Sequence, residues 1–285
     1  MNTRLEKNGA IAEISPLGAE WKRFAVHGRE LLWPGDAAIW PGSSPWLFPV
    51  VGRLRNDAFS LDGAGYALPQ HGFARDSLFS CLRHTADEAV FLLCDSPETR
   101  AAYPWRFALR VGYRLTGNGM EMEARVENPN AEEMYFSLGA HPGFFAASGD
   151  RLSFDAPGCM RVRRLERHGH LLLPWDGETA DGEILLRPEL FDRDAMILEA
   201  PAARAATLKR WDGTRLRIDY GDVSFLGLWS MPGKGMPYVC VEPWLGVDDP
   251  VDADGDIRRK QAIERLQPGE SRTLRLAITV EEREA

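Results

Sequence analysis

Cysteine is scarce, with four in 285 residues. Cys81, Cys94, Cys159 and Cys240 lie far apart, without CxxC spacing or the density of a disulfide scaffold, and they read as reduced thiols, most of them buried. Long apolar runs are missing too. No stretch approaches the roughly 20 residues of a membrane helix, and residues 1–7 lack the apolar core of a secretion signal, so a cytoplasmic protein without a membrane partner is expected. Positive charge is in deficit, with 34 Lys and Arg against 42 Asp and Glu and a formal net charge of −8, which disfavours a nucleic-acid partner. A glycine-rich phosphate loop and a G-x-S-x-G elbow are both absent, leaving nucleotide and serine-hydrolase chemistry without support. Nor does any window of 12 or more residues carry a convincing helical stripe.

What the chain does contain is alternation. With 44% hydrophobic and 27% charged residues it is a folding sequence, not a disordered one. Residues 9–14 and 17–26 alternate apolar with polar or small residues around a Ser-Pro break, and His27-Gly28 marks a turn into residues 29–33. Residues 34–53, with their prolines and glycines around Trp40 and Trp46, predict a structured loop. Asp62-Gly63 sits between two short alternating runs as a hairpin signal, and residues 96–100 read as a capped helical turn. Strands are expected at 79–84, 89–94, 107–115, 120–128 and 134–140, then at 171–173, 195–198, 207–211, 216–220, 225–229 and 273–280. Turn signals about every eight to twelve residues predict an all-β chain folded as one large antiparallel β-sandwich domain over residues 1–285.

Three strand-to-loop junctions present chemistry: His71 before Gly72, His141 before Pro142 and Gly143, and Glu242 before Pro243 and Trp244. Val239, Cys240 and Val241 read as a buried strand, at whose end Pro243 removes a ladder N–H. A carboxylate there, flanked by Trp244, would lose hydration and gain proton affinity, as a general base near neutral pH requires; a strand-end ion pair with an arginine is the plainer reading. Each histidine alone could be structural or catalytic. Arg53 and Arg75 flank the hairpin and could edge one pocket as donors to hydroxyls or a carboxylate, or could be surface cations. His71, His141 and Glu242 could also bind a divalent metal, but separations of 70 and 101 positions lack the local spacing of metal motifs, and no metal is expected. His84, His168 and His170 read as surface residues. The many tryptophans offer flat faces for sugar C–H groups as well as for the core, so the set as a whole suits a polyol or cyclic sugar.

Four motifs carry a resemblance: residues 48–53 (FPVVGR), 71–75 (HGFAR), 141–144 (HPGF) and 242–244 (EPW). In order and spacing the chain resembles the aldose 1-epimerase, or galactose mutarotase-like, family over nearly its whole length. It is most similar to the shorter bacterial branch; where the galactose enzymes carry Asn-Arg, it reads Asn56-Asp57. The resemblance implies a large β-sandwich, no cofactor, and interconversion of the α and β anomers of an aldose or aldose phosphate. It matches Glu242 to the general base, His141 to the general acid, His71 to a second histidine of the sugar site, Arg53 to the substrate-binding arginine and Asp194 to a sugar-binding aspartate. Arg75 or Arg55 could meet a sugar phosphate. A carbohydrate-binding or sugar-sensing protein that keeps the fold without turnover is the alternative.

Overall fold

The computed structural model describes residues 1–156, 158–166, 170–199 and 201–281; His168 and the acidic residues after Glu281 lie outside them. Alternation becomes antiparallel sheet throughout. Ala108–Leu115 and Gly119–Glu127 pair in register from Ala108↔Glu127 to Leu115↔Met120, and in each strand every second residue is buried. They lie within a nine-stranded sheet that also contains Ser80–His84, Glu88–Cys94, Ser271–Glu281 and Arg215–Asp219. A second, eight-stranded sheet runs through Met196–Glu199, Phe225–Trp229, Tyr238–Leu245, Leu138–Ala140 and Trp46–Leu47. Thr3–Lys7, Ala10–Ile14, Trp21–Val26 and Arg29–Glu30 form a third.

One large apolar cluster fills the space between the sheets, including Trp21, Phe24, Phe48, Phe91, Leu109, Val111, Leu226, Val239 and Val241. Several of its buried polar atoms are paired, as burial demands, although the Trp21 indole N–H and the Tyr220 hydroxyl have no partner in the protein. The Trp46 indole donates to Tyr113 Oη at 2.7 Å and Tyr113 donates to the Ala19 carbonyl at 2.6 Å, a two-bond chain that joins the eight- and nine-stranded sheets to the turn before Trp21–Val26. The fold is thus the all-β antiparallel sandwich expected from the alternation.

Local signals resolve in physical detail. Asp62 and Gly63 both adopt positive φ, 50° and 81°, as a two-residue type I′ hairpin needs, and join Ala58–Leu61 to Ala64–Ala67. Ser96 caps a six-residue helix, Pro97–Ala102: Thr99 N–H donates to Ser96 Oγ and Ser96 N–H to Thr99 Oγ1. Residues 34–53 form a pinned loop with one two-residue strand, Trp46–Leu47; Glu20 Oε1 accepts from both Ser43 and Ser44 N–H. At 171–173 the expected strand shrinks to one bridge residue, Leu172.

The thiols depart from expectation. Only Cys240 is buried; Cys81, Cys94 and Cys159 are exposed. Cys94 follows buried Leu93 on an alternating strand and so faces outward, and Cys81 lies on an edge strand exposed over all five residues. Among the described residues no helix is long and apolar enough to cross a membrane.

Candidate active site

Strand Tyr238–Leu245 is buried along its whole length and carries the site. It pairs Leu138↔Leu245 and Gly139↔Trp244 on one stretch and Gly143↔Cys240 on the next, so the same register sets His141 opposite Glu242. Val241 N–H donates to the Pro142 carbonyl at 3.1 Å, which makes 141 and 242 the neighbouring non-hydrogen-bonded pair, whose side chains approach most closely. Pro142 cannot donate in return, and here the facing strand breaks between Leu138–Ala140 and Gly143–Phe145. The result is His141 Nε2 at 3.1 Å from Glu242 Oε2. That contact lacks hydrogen-bond alignment: Glu242 Oε2 and His141 Nδ1 are both buried without a hydrogen-bond partner in the protein.

A cleft of about 200 Å³ opens over this pair, lined by Trp40, Gln70, His71, Arg75, His170, Asp194, Trp229, Trp244 and Asp248 as well as His141 and Glu242. Trp40 lies over His141 with ring centroids 5.0 Å apart, and Trp229 meets both rings edge-on. Trp244 is locked from beneath, since a Cβ at Gly139 or Gly227 would come within 2.8 or 2.7 Å of its indole. A larger hollow of about 730 Å³ lies on the nine-stranded sheet among Glu88, Arg114, Glu121, Glu123 and Arg275, but none of its lining residues is a histidine or tryptophan.

His71 is set by its backbone. It has φ +64°; its N–H donates to the Gly52 carbonyl, and Gly52 N–H donates to its Nδ1 at 3.0 Å. A neutral ring with Nδ1 accepting carries its proton on Nε2. Gly52 also admits Asp248: a Cβ there would sit 2.2 Å from the Asp248 carboxyl carbon, and Asp248 Oδ1 accepts from Arg53 N–H at 2.7 Å. The following loop is clipped by Lys260, buried with Asp249 at 2.8 Å and also donating to the Val247 carbonyl.

Burial dominates the electrostatics. It pushes the Glu242 carboxyl well above the usual range, with nearby Asp194 and Asp248 adding to the rise and the Trp244 indole opposing it. Burial lowers His141 to about 3, its own backbone opposing and Arg75 adding, and it lowers His71, with His141, Arg75 and His170 adding. Asp248 rises to about 6 through burial, against the Arg53 N–H and Lys260. Glu242 and His141 face each other closely enough that the charge on one bears on the other. Burial favours a single proton shared between neutral partners, while at 3.1 Å ionisation of Glu242 draws a proton to His141.

Six of the seven residues singled out for the site in the sequence line this cleft: His71, Arg75, His141, Asp194, Glu242 and Trp244. Arg53 does not. Its guanidinium turns away into a two-point pair with Asp57, at 2.7 and 3.1 Å, leaving only its backbone N–H to the site, through Asp248. Among the described residues the arginine that faces the cleft is Arg75, held by the Gln70 carbonyl at 3.0 Å and near Asp76. Arg55 lies outside the cleft and donates to the Ala253 carbonyl. His170 is no bystander. Its Nδ1 lies 2.8 Å from Asp194 Oδ2, and it lines the cleft. Asp248 was missed because its partner is a backbone N–H 195 positions away, and Trp40 was not singled out from the other tryptophans because it lies in a loop without pattern.

An antiparallel all-β sandwich of this topology is a galactose mutarotase-like fold. The chain belongs to the aldose 1-epimerase family, whose model matches residues 2–278. It is similar to the crystal structure of a galactose mutarotase related enzyme from Lactobacillus acidophilus, with TM-score 0.92 and 33% identity over 99% of this chain and 98% of that one. A galactose mutarotase-like protein from Lactobacillus casei superposes with TM-score 0.90 at 26% identity, over 99% of this chain and all of that one. Among curated relatives, the chromosomal protein LacX of Lactococcus lactis is 28% identical over 298 residues, covering 98% of this chain and 99% of LacX.

Proposed function

We propose that the protein is an aldose 1-epimerase that opens and recloses a sugar ring through the Glu242–His141 pair. The observation that carries this reading is the pair itself: a buried carboxylate and an imidazole 3.1 Å apart, without other hydrogen bonds at the facing oxygen, on the floor of a cleft with sugar-sized dimensions and aromatic walls. Binding alone needs no such pair. With sugar bound, its hydroxyls replace the missing hydrogen bonds of Glu242 and allow the ionised form. Glu242 then takes the proton from the anomeric hydroxyl while His141 gives one to the ring oxygen, and the ring opens to the aldehyde. Rotation about C1–C2 exposes the other carbonyl face. Reclosure with the roles reversed returns both protons and gives the other anomer, so no cofactor is consumed.

The remaining residues position the ring. His71 donates from Nε2, Arg75 offers its free N–H groups to hydroxyls or to a phosphate, and Asp194 accepts. Trp40, Trp229 and Trp244 supply apolar faces. The test is proton NMR of freshly dissolved α-D-glucose, α-D-galactose and glucose 6-phosphate, following anomer equilibration with and without protein. Acceleration above the spontaneous rate for at least one sugar supports the proposal. Detectable sugar binding without acceleration across a wider aldose panel would replace it with a binding protein.

A further inference from the structure

We propose that Cys240, His141 and Glu242 form a binding site for a thiophilic divalent cation such as Zn²⁺, and that the bound cation switches the cleft off. Strand alternation puts Cys240 on the same face as Glu242, and the register that sets His141 opposite Glu242 sets Gly143 opposite Cys240. Because residue 143 has no side chain, the thiol has room: a Cβ there would stand only 3.3 Å from its sulfur. One ligand atom from each of the three side chains lies within 4.8 Å of the others. A tetrahedral Zn²⁺ with sulfur, nitrogen and oxygen at about 2.0–2.3 Å requires neighbouring ligands about 3.5 Å apart, so side-chain rotations of about 1 Å close the shell.

Those rotations break no hydrogen bond at Glu242 Oε2 or His141 Nδ1, since neither has a partner. Three protein ligands leave a fourth position for water from the cleft that His141 and Glu242 line. Asp194 and Asp248 line the same cleft as His141 and Glu242, which puts two further carboxyl groups beside the site. A thiol, an imidazole and one carboxylate select a soft or borderline ion over Mg²⁺ or Ca²⁺. His71 stays outside the set, its Nδ1 committed to the Gly52 N–H. On binding, the thiol and carboxylic acid release their protons to solvent, and the carboxylate and imidazole become metal ligands. Inhibition rests on the epimerase reading; binding does not.

The experiment uses Co²⁺ as a spectroscopic probe on the full chain carrying Cys81→Ser, Cys94→Ser and Cys159→Ser, which removes the exposed thiols. A thiolate-to-cobalt charge-transfer band that is displaced by Zn²⁺ and lost on adding Cys240→Ser is expected. Should that fourth substitution prevent folding, Glu242→Gln and His141→Gln in the same background should each weaken cobalt binding at least about tenfold. Absence of the band in the triple variant, or its persistence after Cys240→Ser, overturns the site. Zn²⁺ should also suppress anomer interconversion in the triple variant but not after Cys240→Ser. A bound cation that leaves the rate unchanged refutes the switch, and protein that binds cobalt yet never accelerates any aldose refutes the epimerase reading alone.

Discussion

Gly52 is where fold and site depend on one hydrogen atom in place of a side chain, and Gly52→Ala tests that dependence. Its φ of +71° costs an L residue about 1–2 kcal/mol. The new Cβ would overlap the Asp248 carboxylate, at 2.3 and 2.4 Å from its oxygens, and must push it off the Arg53 N–H. Losing a hydrogen bond to a buried acid adds about 1.5–3 kcal/mol, so a loss of roughly 3–5 kcal/mol is expected. Gly52 N–H also fixes the His71 ring, and a displacement of about 1 Å at a positioning residue can cost on the order of a hundredfold in kcat/KM. Urea denaturation reads the stability and anomer exchange by NMR reads the activity. Gly63→Ala supplies the control: at φ +81° with nothing within 4 Å, it should lose only the conformational term. If Gly52→Ala were no more destabilised than Gly63→Ala and retained the wild-type rate, the proposed link from Gly52 through Asp248 and His71 would be refuted.

Three other outcomes follow from the geometry. The pH profile should be broad: with His141 lowered to about 3 and Glu242 raised, the one-proton pair persists between, so the acid limb of kcat/KM should fall well below pH 6.5, and a limb centred near 6.5 would contradict that one-proton pair. Arg75→Gln should raise KM about tenfold, the equivalent of about 1.4 kcal/mol, whereas Arg53→Gln, whose guanidinium belongs to Asp57, should leave KM nearly unchanged; the reverse order would show that the cleft arginine has been misassigned. Lys260→Ala strands the buried Asp249 carboxylate and should cost about 3–5 kcal/mol in chemical denaturation, whereas a loss below about 1 kcal/mol would mean that the clip does not hold the loop.

Much of the scaffold was legible because period-two alternation and turn chemistry are local. Residues 120–128 read as a strand and the sheet contains Gly119–Glu127; Asp62-Gly63 read as a hairpin and both residues adopt positive φ. The cleft was legible in part. Glu242 and His141 announced themselves because each stands beside a proline; the strand does give out before His141, but contrary to expectation the other runs on through Glu242 and Pro243 to Leu245, and register sets the two side chains face to face. Arg53 misled because an acid four positions on, Asp57, competes for its guanidinium, and motif position does not encode where a flexible side chain turns. His170 and Asp248 were hidden for a different reason: their partners lie 24 and 195 positions away, so only tertiary packing brings them together. The thiols were misjudged because cysteine's average burial says nothing about which face of a strand a given residue occupies.

The central claim is that Glu242 moves the proton that opens the ring, and Glu242→Gln measured two ways on the same preparation tests it most directly. Sugar affinity by calorimetry and anomer exchange by NMR are compared with wild type for whichever aldose the native protein accelerates. Because the amide keeps the shape of the carboxylate but cannot accept the anomeric proton, affinity should change little while the rate drops by about 10²–10⁴-fold. An exchange rate within a few fold of wild type, with affinity intact, would contradict the account.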